Sequence, residues 1–195
     1  MKKIQTQEKI EKSTLELIDK KPFQEISTKQ IASQAGVSEM TIFRHFSSKD
    51  KILDRLSKFF FKLIIGFDSN TIKDENHFRT ELIKFFKKSI SSSPMHRKLF
   101  KVFLYIGMYK KEMFLKYADI YEYQIAGPIE QVVEYGIKNW GYNKNLDVEI
   151  SVKLLINSIG FFNIVQNVFL LRKKKPYDLN KVIEISVDNF IKTLK

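Results

Sequence analysis

Apolar positions recur at helical spacing along nearly the whole chain. Between residues 7 and 19, Ile10, Thr14, Leu17 and Ile18 fall at i, i+4, i+7 and i+8, the stripe of a helix packed on one face, and Pro22 ends it. Ser27-Thr28-Lys29-Gln30 reads as a capping box that opens a short helix through Ile31, Ala32 and Ala35, and Gly36 closes that helix in the left-handed conformation. Val37 fills the turn. Ser38 can cap a third helix whose inward face is Ile42 and Phe46, and Ser47 or Ser48 caps a fourth that runs from Lys49 through Ile52, Leu53, Leu56, Phe60 and Leu63 to about Gly66.

Beyond Phe67 the pattern stays helical between polar breaks at 68–76, at Ser91-Ser92-Ser93-Pro94, at Gly127-Pro128, at 141–146 and at 173–178. Helices are expected near 75–91, 94–109, 112–126, 128–140, 147–171 and 178–194. No internal repeat, low-complexity tract or useful strand-like alternation interrupts them. With 44% hydrophobic and 29% charged residues, and only 7 Gly and 4 Pro for turns, the 195-residue chain reads as an all-α globular protein.

The absence of cysteine removes disulfides, thiolate metal sites and a cysteine nucleophile. The N-terminus runs from two lysines straight into polar sequence, so no secretory signal is read and a cytoplasmic location is expected. The net charge of +12 points to an anionic partner. Residues 1–55 nevertheless hold 11 Lys+Arg against 8 Asp+Glu. DNA contacts there must come from placed residues and not from a general basic cloud.

The two short helices at 28–34 and 39–46, joined by Gly36-Val37-Ser38, have the form of a helix-turn-helix, in which the first helix braces the second in the major groove. Small Ala32 and Ala35 allow close approach, and Glu39, Met40, Thr41, Phe43, Arg44 and His45 are left on the outer face.

The unbroken run from Ser27 to Leu53 resembles the DNA-binding signature of the TetR family, and the preceding helix extends the likeness to roughly the first 55 residues. The resemblance implies an N-terminal three-helix domain over 1–55 that binds a double-stranded operator, followed over 56–195 by a helical bundle that dimerises and takes up a small-molecule effector. It further implies that the Thr28 hydroxyl binds a phosphate, assisted by Lys29, that Lys49 grips the backbone, and that His45 stands at a phosphate-contacting position. Ser38 belongs to the same DNA-facing set. Glu39, Met40, Thr41 and Arg44 would face base edges, with Arg44 suited to guanine, Glu39 to a cytosine amino group, and Met40 or the Thr41 methyl to a thymine methyl. Phe43 departs from the family's usual Tyr, which removes a phosphate hydrogen bond of about 1 kcal/mol. Lys29 and Lys51 read equally as solvated charges, and Glu39 could act by excluding phosphate or wrong bases.

Of 26 aromatic residues only Phe23, Phe43 and Phe46 precede residue 56. Most are core, but Phe86, Phe103, Tyr123, Asn163 and Gln166 are the candidate walls of a cavity for an apolar or aromatic effector. The 18 uncharged residues 154–171, followed by Arg172-Lys173-Lys174-Lys175, have the length of a membrane span, but Asn157, Ser158, Asn163, Gln166 and Asn167 would be costly in lipid. The reading preferred is a buried helix that, with the last helix, forms a two-fold four-helix interface, so the chain is expected to be a homodimer with no membrane association.

His77 and His96 lack metal-ligand spacing, and neither a nucleophile motif nor a Gly-rich phosphate loop is present, so no enzyme, metal or cofactor is expected. The reading is a repressor released from a near-palindromic operator by its effector. An activator, a ligand-independent regulator, and a membrane-associated or protein-binding adaptor built on 154–175 remain its alternatives.

Overall fold

The structure, a computed structural model, describes residues 2–63, 66–90, 93–169 and 174–195. Among these residues the secondary structure is entirely helical. The α-helices are α1 (Lys2–Ile18), α2 (Thr28–Ala35), α3 (Glu39–Phe46), α4 (Lys49–Leu63), α5 (Glu75–Ser89), α6 (Pro94–Tyr109), α7 (Lys111–Tyr121), α8 (Gly127–Asn139), α9 (Val148–Asn163) and α10 (Leu179–Thr193). They pack as two compact units, one of Met1–Lys62 with Ser93–Lys116, the other of Leu63–Ser92 with Tyr117–Lys195. The sequence reading places a division of role at residue 55. The packing units part later and interleave, because α6 returns to pack on α1.

In the first unit the caps form as the sequence predicts. Ser27 accepts from the Gln30 amide while the Gln30 side chain accepts from the Ser27 amide, a complete capping box, and Gly36 closes α2 at φ 64°. Ser38 accepts from the Thr41 amide at the start of α3. Of the two serines before α4, Ser48 is the cap, accepting from the Lys51 amide at 3.3 Å. Ser47 instead ends α3 in the left-handed region at φ 57°. The core collects Ile10, Ile31, Ile42, Ile52, Leu53 and Leu56, each fully buried. Thr14 and Ser57 sit among them without cost, because their hydroxyls bond back to the carbonyls of Ile10 and Leu53.

In the second unit α5, α8, α9 and α10 surround Phe78, Leu82, Ile129, Val133, Val152 and Val187. Gly127-Pro128 is not the helix end that its residues suggest. Residues 122–126 form a π-turn in which the Gly127 amide bonds the Glu122 carbonyl, and the wider turn leads into α8 with Pro128 in its first turn, where no amide is needed. A second π-turn at 164–168 follows α9. The expected end of that helix at 170–171, Arg172 and Lys173, and Ser91 and Ser92 lie outside the described residues.

Candidate nucleic-acid interface

Helix α3 owes its orientation to its own residues. Ile42 and Phe46 are buried, which rotates the remaining face of α3 outward: Ser38, Glu39, Met40, Phe43 and Arg44 are exposed, and Met40 is 76% exposed. A methionine so open to water on an eight-residue helix gains nothing in folding and is suited to an apolar contact such as a thymine methyl. The Thr41 hydroxyl lies 2.9 Å from the Ser38 hydroxyl, so its methyl is the part left to a partner. Lys29 is exposed on α2.

Three other members of the DNA-facing set are held internally. The Thr28 hydroxyl donates to a Glu39 carboxylate oxygen, which brings the first residues of α2 and α3 together. His45 is half-buried, with Nδ1 enclosed and unpartnered. The Lys49 ammonium donates to the carbonyls of Ile26 at 2.8 Å, Phe23 at 2.9 Å and Gln24 at 3.4 Å, and lies 4.5 Å from the Phe23 ring centroid. Lys49 thus commits all three of its donors within the chain. It ties the start of α4 to the segment before α2. Burial, aided by Lys110 and opposed by Asp50, holds its pKa below the usual lysine range.

Further ties brace the interface, and none was legible in the sequence. The Lys21 ammonium bonds the Glu25 carbonyl at 3.0 Å and the Gln30 side-chain oxygen at 2.9 Å, joining the capping box of α2. Asp19, at the end of α1, is clasped by Lys101 at 2.7 Å and Arg97 at 3.1 Å, both on α6. Burial of its carboxyl is outweighed by those hydrogen bonds and charges, and its pKa falls below the usual range. Lys110 reaches Asp50 at 2.7 Å, and Arg55 reaches Glu11 at 2.6 Å. The partners in the Asp19, Lys110 and Arg55 pairs, 44 to 82 residues apart, carry no local signal.

The five candidate effector residues are dispersed. Phe103 belongs to the first unit, where its ring packs with those of Phe60, Phe61, Phe100 and Phe114 at centroid distances of 5.2 to 5.9 Å. The other four lie in the second unit. Phe86 is core, and Tyr123 is 78% exposed, a surface position and not a wall. Asn163 and Gln166 are buried: Asn163 accepts from Asn167 at 2.7 Å and Gln166 from the Tyr177 amide at 3.2 Å, while the Gln166 Nε2 has no partner.

Comparison with known proteins agrees with this picture. Residues 10–56 match the model of the bacterial regulatory proteins of the tetR family. The nucleoid occlusion factor SlmA of Shewanella baltica is 37% identical over 57 residues, a match that spans 29% of this chain and 29% of that protein. Among solved structures, the TetR family transcriptional regulator PfmR from Thermus thermophilus superposes with a TM-score of 0.71 at 17% identity, covering 95% of this chain and 98% of its own. The regulator FadR from Bacillus subtilis, solved with stearoyl-CoA, gives 0.64 at 16%, covering 96% and 98%.

Proposed function

From a chain that carries the TetR-family N-terminal domain and the fold of the family's regulators, we propose a homodimeric transcription regulator whose α3 helices read a near-palindromic operator. The observation that carries the reading is the outward face of α3. Glu39, Met40, Phe43 and Arg44 stand exposed together on a helix fixed from behind by Ile42 and Phe46. Residues 1–55 are the reading domain in this proposal. Thr28, Lys29, Ser38, Glu39, Met40, Thr41, Phe43, Arg44 and His45 are its DNA-facing set, and Lys49 is a positioning residue. The regulator would act in the cytoplasm as a repressor.

Residues 56–195 supply dimerisation and effector binding in the same proposal. Ile150, Leu154 and Phe161 are 57, 65 and 62% exposed along one stripe of α9, and Ile185 of α10 is 49% exposed. Residues 148–168, with an 18-residue stretch of mean hydropathy 1.5, are long and apolar enough to cross a membrane. Buried Asn163, Gln166 and Asn167 disfavour that use, and a partner subunit covering the stripe accounts for it better. An apolar or aromatic effector suits the Phe60, Phe61, Phe100, Phe103 and Phe114 cluster, and the stearoyl chain of the stearoyl-CoA with which FadR was solved is likewise apolar. The effector would favour a conformation with mis-spaced reading helices, and by linkage DNA weakens effector binding by the same factor.

The decisive experiment incubates the protein with sheared DNA of its own genome at physiological salt and sequences what is retained, beside a variant with Thr41→Ala and Arg44→Ala. Enrichment of a few near-palindromic sites that the variant loses supports readout by α3. Uniform retention, or none, overturns it.

A further inference from the structure

The first unit contains a cavity of about 290 Å³ that none of the candidate effector residues lines. Its floor is Ile18 of α1, Leu53 of α4 and Val102 of α6, all buried. Its aromatic wall is Phe23 against Tyr105, edge to face at 5.3 Å. Asp19, Lys20, Lys21, Pro22 and Lys101 complete it, three basic residues against one acidic.

That carboxylate is already satisfied, since Asp19 is clasped by Lys101 and Arg97. Lys20 and Lys21 are therefore the charges left to a ligand. Lys20 is exposed, and Lys21 is bonded only to neutral oxygens, those of Glu25 and Gln30. An arriving anion offers Lys21 a charge-assisted bond in place of neutral ones. Aromatic walls, an apolar floor, a volume just below the usual range of about 300–1,000 Å³ for ligand pockets, and cations at one side suit one chemical class. We propose that this cavity binds a small aromatic carboxylate, its ring on Phe23 and Tyr105 and its carboxylate on Lys20 and Lys21, as a ligand site separate from any effector pocket elsewhere.

The walls connect the site to the reading helix. Gln30, which Lys21 would release, is the capping-box residue of α2. Phe23, which the ring would press, supplies one of the carbonyls that hold Lys49 at the start of α4. Occupation thus loosens the brace behind α3 and lowers DNA affinity, a consequence that rests on the DNA-binding reading, whereas binding itself does not.

The test titrates the full-length protein with benzoate, salicylate and indole-3-acetate, and with benzamide, salicylamide and indole-3-acetamide as neutral counterparts, following backbone amide resonances. At least one acid shifts the resonances of residues 18–23 and 101–105, and its amide binds about tenfold more weakly, the size of one charge-assisted bond. The double variant K20Q/K21Q, which removes both charges and keeps polar side chains in their place, weakens the acid by about tenfold or more and leaves the amide unchanged. Absence of any such shift, equal binding of acid and amide, or an acid indifferent to K20Q/K21Q overturns the site. Retention of genomic DNA, measured with and without the bound acid, separates the two readings. Unchanged retention overturns the regulatory role alone. A protein that retains no DNA in either case fails the DNA-binding reading while the resonances still report on the cavity.

Discussion

The Thr28 hydroxyl, at the first turn of α2, donates its proton to the Glu39 carboxylate at the first turn of α3. A carboxylate thus holds the hydroxyl that the resemblance assigns to a DNA phosphate, and a phosphate arriving there would have to compete with it. Glu39→Gln removes the charge and keeps the shape. It is expected to tighten binding to random-sequence duplex by about 1 kcal/mol, roughly fivefold, and to lower the ratio of operator to non-specific affinity. Fluorescence anisotropy at two salt concentrations reads both, and equal weakening on all DNA would make Glu39 a plain contact instead.

Lys49 satisfies three carbonyls and faces the Phe23 ring, so its loss should appear as stability before it appears as DNA affinity. Lys49→Met, which retains the stem, is expected to destabilise the chain by about 1–3 kcal/mol in urea titrations. A variant as stable as the parent but impaired on DNA would restore the phosphate-gripping role.

The clasp on Asp19 has a definite pH sign. Its pKa is lowered on folding: burial opposes the shift, and Lys101 and Arg97 overcome it. The stability it contributes is complete above the unfolded value of ~3.9 and is lost as pH falls through the lower folded value. Asp19→Asn should therefore lower the Tm relative to the parent at pH 7, and by a smaller margin at pH 3. A difference in Tm that is the same at both pH values would show that the clasp contributes nothing electrostatically.

Gly136 and Tyr142 make a tighter pair. A Cβ built on Gly136 would lie 2.4 Å from the Tyr142 ring, which is buried at 4% exposure and bounded by Trp140 at 5.7 Å. Gly136→Ala is expected to cost about 1–3 kcal/mol despite the better helix propensity of Ala. The Tyr142 hydroxyl is enclosed without a partner, and burial pushes its pKa up. Tyr142→Phe, which removes that unpaired group, should be neutral or stabilising by up to about 1 kcal/mol. Thermal denaturation of both variants tests the pair, and a destabilised Tyr142→Phe would reveal a partner for the hydroxyl.

The stripe on α9 supplies a prediction for assembly. Leu154→Glu and Phe161→Glu place charges on positions exposed in the single chain, so they should leave helix content intact and convert the proposed dimer to monomer in sedimentation. Dimers that persist in both variants would move the interface elsewhere.

Local chemistry determined much of this protein. Ser27, Gln30, Gly36 and Ser38 each carry a capping or turn preference that acts within four residues, so α2, the turn and α3 were legible from sequence, as was the burial of Ile42 and Phe46 that turns the reading face outward. Gly127-Pro128 misled, since a π-turn admits a proline where a regular turn would not. What depends on long loops of chain could not be read in advance. Thr28 meets Glu39, Lys49 meets the Phe23 carbonyl, and Asp19 meets Lys101 only because packing of apolar faces brings their helices together, and a charged side chain in sequence carries no mark of the partner that will take up its hydrogen bonds. The sequence by itself determined that two short helices would present a polar face. Tertiary packing decided which of those polar groups remain free to bind and which are used to hold the face in place.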